Sequence, residues 1–263
     1  MIHVHELRKS FPAPAPRWPW QRRGAPLQAV DGVSLSAPDG RVTGLLGPNG
    51  AGKTTTLRMI ATLLAPDAGR VEVDGIDVAT SPAAALARLG VLSDARGLYQ
   101  RLTARENIVY HGQLHGLDRD AAEARATELG RLLDMTPLLE RRTEGFSQGE
   151  RMKTALARAL VHDPPNLLLD EPTNGLDVLA TRALREALLW LRTPEGGAKC
   201  IVFSSHIMQE VERLCDEVVV VAGGRCVAQG TVEGLCERTG HPRFEEAFVT
   251  LAFGPAALEA TSA

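Results

Sequence analysis

An α/β fold is predicted: a largely parallel sheet interleaved with helices, with a further block of helices set into it. Three observations predict it. Short apolar runs alternate with helix-patterned segments along the chain. One run, 42–46, ends in a glycine-rich turn that opens into a helical segment. Another, Leu167-Leu168-Leu169, ends in two carboxylates, Asp170 and Glu171. At 263 residues the chain has room for one large domain carrying a modest subdomain.

Taken in order, Ile2, Val4 and Leu7 stand among polar residues and predict a strand ending near Phe11. A proline-rich tract follows, and its prolines forbid regular ladder or helix bonding, so it reads as a loop. A second strand is expected over 29–37 and a buried one over 42–46. A helix is expected over 53–64, then strands near 71–73 and 91–92. From 103 to 139 the pattern is helical, and a further helix follows Ser147 to about 161, where Pro164-Pro165 stops it. A buried strand over 167–169, a helix over 178–191 and strands over 200–203, 217–221 and 225–228 come next. Helical segments near 231–238 and 245–251 close the pattern, with an alanine-rich tail expected to fray. No internal repeat is visible.

Hydrophobic residues make up 44% and charged residues 23%, which excludes global disorder. Lys plus Arg is 29 against 32 Asp plus Glu, a net charge of −3, so binding to nucleic acid through bulk charge is disfavoured. No apolar stretch approaches the roughly 18 residues of a membrane helix, and the start of the chain does not read as a signal peptide. A location on the cytoplasmic side of a membrane is the expectation. The four cysteines form no CxxC pair, which leaves free thiols as the favoured reading over zinc or redox chemistry.

The segment Gly47-Pro48-Asn49-Gly50-Ala51-Gly52-Lys53-Thr54 fits G-x-x-x-x-G-K-[ST] at every defined position. Glycines let the backbone fold around phosphate oxygens with amide hydrogens pointing inward. The following helix turns its positive end toward the same anion. Lys53 is expected on the β- and γ-phosphates and the Thr54 hydroxyl on Mg²⁺. A plain glycine turn with a surface lysine is the bland alternative, and the strand before and helix after argue against it.

Asp170 and Glu171 end a buried strand, where acids are costly unless paired or metal-bound. Asp170 is the natural Mg²⁺ partner, and Glu171 is placed to polarise a water attacking the γ-phosphate. Both would otherwise cap the turn Pro172-Thr173-Asn174-Gly175. Together with the cradle they favour hydrolysis of a nucleoside triphosphate over mere binding.

With these motifs in place the sequence resembles the nucleotide-binding subunits of ATP-binding cassette (ABC) transporters over nearly its whole length. Phe146-Ser147-Gln148-Gly149-Glu150 stands where that family's signature, usually Leu-Ser-Gly-Gly-Gln, belongs. Gly175-Leu176-Asp177 looks like its D-loop, Ser204-Ser205-His206 like its switch histidine, and Phe11 like the aromatic that stacks on adenine. Segments 97–107, 206–212, 229–231 and 244–248 look like the NatA-like exporter group. The resemblance implies a P-loop NTPase sheet, RecA-like with an antiparallel β subdomain, plus an α-helical subdomain. It implies one nucleotide-binding domain over 1–251, with core 1–93 and 162–230, helical subdomain about 94–161, C-terminal helical extension 231–251, and a flexible tail over 252–263. It implies ATP contacts at Phe11, Gly47 to Thr54 and Thr55, and Ser147, Gly149 and Asp177 acting on the ATP held by a second subunit, forming a homodimer. Lys53, Glu171 and His206 would serve catalysis, with Mg²⁺ on Thr54, Asp170 and Asp94. The implied partner is a separate membrane permease that exports a substrate such as Na⁺ or a drug, the chain sitting peripherally on the cytoplasmic face of the membrane.

Departures from the family pattern bear on these expectations. Asp94, placed by alignment with Gly90-Val91-Leu92-Ser93, stands where a glutamine is usual, and a carboxylate is the better hard-cation ligand. Glu150 brings a negative charge to the signature, which is expected to weaken ATP-driven closure. Trp18, Trp20, Arg22 and Arg23 in the insert 12–26 either touch the membrane or permease or form a solvated loop, and the loop is favoured. Rival readings are a non-transport ABC ATPase, a subunit for lipid or polysaccharide export, a P-loop kinase or GTPase, and a silent binding module. The Ser147 signature, the switch histidine and the intact Lys53, Asp170 and Glu171 speak against the last two.

Overall fold

The computed structural model describes residues 1–13, 25–93 and 97–254. Trp18, Trp20, Arg22, Arg23 and Asp94 lie outside the described residues. Ten strands and nine α-helices are formed among the described residues. The strands fall into two sheets, one of four strands in the order β2-β1-β4-β5 and one of six in the order β10-β9-β3-β8-β7-β6.

The four-stranded sheet is antiparallel and comprises β1 (Ile2–Phe11), β2 (Leu27–Ala37), β4 (Ala68–Val73) and β5 (Ile76–Asp77). Alternation puts Ile2, Val4, Leu35, Val71 and Val73 on its buried face. That face packs against α1 (Lys53–Ile60), whose Leu57, Met59 and Ile60 are buried in the same core.

The larger sheet contains β3 (Val42–Leu46), β6 (Leu89–Leu92), β7 (Asn166–Asp170), β8 (Cys200–Ser205), β9 (Glu217–Ala222) and β10 (Arg225–Gly230). All neighbours pair in parallel except β9 and β10, which form an antiparallel edge hairpin. The central strands β3 and β8 are buried along their whole length, as continuous apolar runs in a parallel sheet must be. β3, β8 and β7 are adjacent, so their carboxyl ends open onto one crevice.

Side-chain caps set where most of the longer helices begin. Thr103 and Glu106 form a capping box at α3 (Ala104–Leu114), Asp118 caps α4 (Arg119–Leu132), and Asp177 caps α6 (Val178–Leu191). Ser147 and Glu150 form a second capping box at α5 (Gln148–Leu160). α3, α4 and α5 pack through Ile108, Ala122, Ala126, Leu129 and Leu156 into a core continuous with Leu167 and Leu169 of the sheet. α2 (Pro82–Leu86), α7 (Met208–Leu214), α8 (Val232–Thr239) and α9 (Phe244–Phe253) complete the fold.

Several boundaries differ from those read in the sequence. α1 ends at Ile60 rather than 64, because Thr62 turns the backbone into the left-handed region at φ 58°. The helical stretch 103–139 divides at Gly116, φ 88°, before the Asp118 cap starts α4. β5, α2 and α7 carry no periodicity of their own at such lengths. α9 runs through Phe253, two residues into the segment expected as tail. No helix among the described residues is long and apolar enough to cross a membrane, and the four cysteines are free.

Candidate functional site

The crevice at the carboxyl ends of β3, β8 and β7 is where the motif residues meet. β3 runs into Gly47, and the chain wraps through Gly50 (φ 81°) and Gly52 (φ 102°) before α1 begins at Lys53. Glycine is required at Gly47 by close approach alone and at Gly52 by close approach as well as by backbone shape. A Cβ at Gly47 would collide with the Val221 carbonyl, and one at Gly52 with the Ala29 carbonyl. The loop is thereby pressed onto the sheet, and the first turn of α1 faces the crevice with no acidic residue in it.

Lys53 is buried, and its Nζ donates to the Gly47 and Pro48 carbonyls at 2.8 and 3.1 Å. Burial pushes its pKa down from the ordinary lysine value, against the upward pull of the Glu171 and Asp170 carboxylates. Glu171 Oε1 lies 3.7 Å from Lys53 Nζ and 3.3 Å from His206 Nδ1. Thr54 Oγ1 donates to Asp170 Oδ1 at 3.2 Å.

Residues to which the sequence assigned no role of their own hold this arrangement. Ser204 stands opposite Asp170 in the β7–β8 register. Its hydroxyl donates to Asp170 Oδ1 at 2.6 Å and accepts the Glu171 backbone N–H at 2.9 Å. Glu171 itself has φ 47°, a left-handed conformation that costs a non-glycine residue about 1–3 kcal/mol. Glu210 Oε2 accepts from Thr173 Oγ1 at 2.5 Å and from Ser205 Oγ at 3.0 Å, and Ser205 Oγ in turn accepts the Ile207 N–H at 2.9 Å. The turn bearing Glu171 and the turn bearing His206 are therefore tied together on both sides. In the sequence Ser204 figured only within the Ser204-Ser205-His206 segment, without a role of its own.

Phe11, Leu27, Ala29, residues 49–55 and Glu171 line an open cleft of about 250 Å³. The structure brings Phe11, the cradle, Asp170, Glu171 and His206 together around it. Ser147, Gly149 and Asp177 do not line it. Instead Gln148 Nε2 donates to the Asn174 carbonyl at 2.6 Å, and Gly149 faces Ala180 and Leu176. The signature thus sits against the turn that follows Glu171. Glu150 does not stand as a loose charge there: its Oε2 accepts the Ser147 N–H at 2.7 Å, and its Oε1 pairs with Arg141 Nη1 at 2.8 Å.

The paired hydroxyl and carboxylate oxygens of Thr54 and Asp170 are hard donors of the kind Mg²⁺ takes, so these residues fit a magnesium nucleotide. A phosphate cradle, a lysine, a hydroxyl–carboxylate pair and a glutamate beside a histidine define a P-loop nucleoside triphosphatase. Comparison with known proteins narrows this. Residues 30–174 match the family model for the ABC transporter. The chain is 47% identical over 212 residues to the ABC transporter ATP-binding protein NatA of Bacillus subtilis (strain 168), covering 80% of this chain and 85% of that one. It is 38% identical over 217 residues to the Nod factor export ATP-binding protein I of Burkholderia lata, covering 82% of this chain and 70% of that one. A solved ATP-binding subunit of an ABC transporter superposes with a TM-score of 0.80 at 27% identity, covering 95% of this chain and 99% of that one. The chain belongs to the ABC transporter family and is a NatA-like ATP-binding, ATP-hydrolysing subunit of it.

Proposed function

We propose that this subunit powers export through a separate membrane permease by closing head to tail on a second copy of itself around two ATP molecules. One observation carries the reading: the chain holds both halves of a nucleotide clamp and keeps them apart. The cleft lined by Phe11 and residues 49–55 is one half, and the Ser147 end of α5, which takes no part in lining it, is the other.

In this reading Phe11 stacks on the adenine, and the amides of 47–54 with Lys53 and Thr55 hold the phosphates. Mg²⁺ would be held by Thr54 and Asp170 and would neutralise charge between the β- and γ-phosphates. Asp94, the third expected ligand, lies outside the described residues. Glu171 takes a proton from the attacking water, and the 3.3 Å approach of His206 to its carboxylate keeps the two groups aimed at the same place. The hydroxyl of Ser147 and the amide of Gly149 in the partner close on the γ-phosphate, and Asp177 fixes the start of α6 beside that seam. Catalysis here is mostly positioning and electrostatics.

The permease is met by the helical block of α3 to α5, about 94–161, hinged on the core 1–93 and 162–230. Tyr99 and Tyr110, both exposed and packed edge to face at 5.4 Å, with exposed Leu114, give that block an apolar surface. The subunit works peripherally on the cytoplasmic face of the membrane. The export direction is taken from the Nod factor export protein to which the chain is similar.

The test mixes two inactive variants. Lys53→Ala removes one half of the clamp and Ser147→Ala the other, so the mixture should regain ATPase activity through the composite pair that has one intact clamp. A mixture as dead as its parts, with both variants folded and able to pair, would refute the shared clamp.

A further inference from the structure

Arg141 has no place in the motifs, yet its side chain is engaged on two sides. Its guanidinium carbon lies 5.3 Å from the centroid of the buried Phe146 ring, and its Nη1 lies 2.8 Å from Glu150 Oε1. Its backbone is pinned as well, donating to Leu138 O at 3.0 Å and accepting from Ala104 N–H at 3.0 Å. Glu150, its partner, caps the very end of α5 that carries Ser147. Phe146 and Glu150 are two of the residues by which this signature departs from the Leu-Ser-Gly-Gly-Gln pattern, and Arg141 touches both.

The charges make the contact consequential. A full negative charge on the first turn of α5 opposes the approach of a phosphate to the same turn. The Ser147 N–H and Arg141 hold the Glu150 carboxyl below its ordinary pKa, so it is ionised at neutral pH. The capping bond to Ser147 uses one oxygen of that carboxylate, and the other faces Arg141. We infer that Arg141 is a positioning residue for the phosphate-facing end of α5: seated on the Phe146 ring, it offsets Glu150 and leaves the Ser147 hydroxyl hydrogen, which the capping box does not use, to meet an anion. The inference rests on the reading of Ser147 given above. It accounts for how an acidic residue is carried in the signature without repelling the nucleotide.

The test is ATP-driven dimerisation of the full chain, measured by sedimentation in a Glu171→Gln background that slows hydrolysis. Arg141→Met should raise the ATP concentration for half-maximal pairing by roughly two- to fivefold, the range for one partly exposed charge. Adding Glu150→Gln to Arg141→Met should return it to the value of Glu150→Gln alone, because no charge then needs offsetting. An Arg141→Met variant that pairs as its parent does, or a double variant as weak as Arg141→Met, overturns the inference. If Arg141→Met does not fold, Phe146→Leu removes the ring beneath Arg141, together with some core packing, and should shift pairing in the same direction, with only the part due to Glu150 cancelled by Glu150→Gln. A Ser147→Ala variant that pairs normally would instead bring down the reading of Ser147 itself.

Discussion

Ser204 faces Asp170 across the parallel pairing of β8 and β7 and donates its hydroxyl hydrogen to the carboxylate at 2.6 Å. The same oxygen accepts the backbone N–H of the next residue, Glu171, at 2.9 Å, and Ser204 is fully buried. One hydroxyl thus sets the distance between the proposed metal-holding acid and the proposed base.

Ser204→Ala should therefore lower kcat by about ten- to a hundredfold while leaving nucleotide affinity within a few fold, since the cradle is untouched. Ser204→Thr, which keeps the hydroxyl, should recover most of the loss. Steady-state ATPase kinetics beside equilibrium binding of a fluorescent nucleotide separate the two. Equal losses of affinity and turnover would show that Ser204 serves only to hold the sheet together.

Gly52→Ala should be the most damaging single change in the cradle. It combines a φ of 102° with a collision against the Ala29 carbonyl, and is expected to cost about 1–3 kcal/mol of stability together with nucleotide binding. Gly50→Ala meets nothing nearby and has only its φ of 81° to overcome, so thermal unfolding should rank it milder. Equal melting shifts would deny the role assigned to the Ala29 contact.

Stability should also fall as the pH drops from about 6.5 to about 4. His115 and His162 stack face to face at 3.7 Å, with His111 4.9 Å from His115. Burial, with Arg158 and His115 adding repulsion, holds His111 down to about 4, and burial with His115 beside it does the same for His162. Lys199 also disfavours the His162 cation, while Asp163 and the Leu89 carbonyl favour it. A histidine depressed in the folded state binds fewer protons folded than unfolded, so its contribution is complete above the unfolded pKa and is lost on the way down to the folded one. Melting temperatures across that window should flatten in a His111→Gln/His162→Gln variant, and an unchanged slope would place the acid sensitivity elsewhere.

The parts of this arrangement that were legible in the chain are those whose chemistry is local. Gly47 to Thr54 announces itself because turn, amides and helix end are consecutive, and Asp170-Glu171 because a buried strand ends there. The 3.7 Å and 3.3 Å approaches of Lys53 and His206 to Glu171 depend on three strands from distant parts of the chain lying side by side, which no spacing encodes. The roles of Ser204 and Glu210 were illegible for the same reason, although both lie in segments that carry the family resemblance. Glu150 was legible as a charge but not as a cap, because the guanidinium that faces it is nine residues upstream and the N–H it accepts is backbone. The short elements β5 and α2 lacked enough residues to show a period.

Gln148 donates to the Asn174 carbonyl, and that residue sits in the turn that begins at Glu171, so α5 is joined to the turn that carries the proposed base. In a head-to-tail pair every chain would then be one link of a closed circuit, with its own reaction at one mouth and its neighbour's phosphate at the other. Steep ATP dependence, with a Hill coefficient approaching two that drops to one in Gln148→Ala, would reveal such a circuit, and a coefficient of one in the unmodified protein would break it. An engine wired this way fires its two charges as a conversation across the seam, and a single amide is the wire.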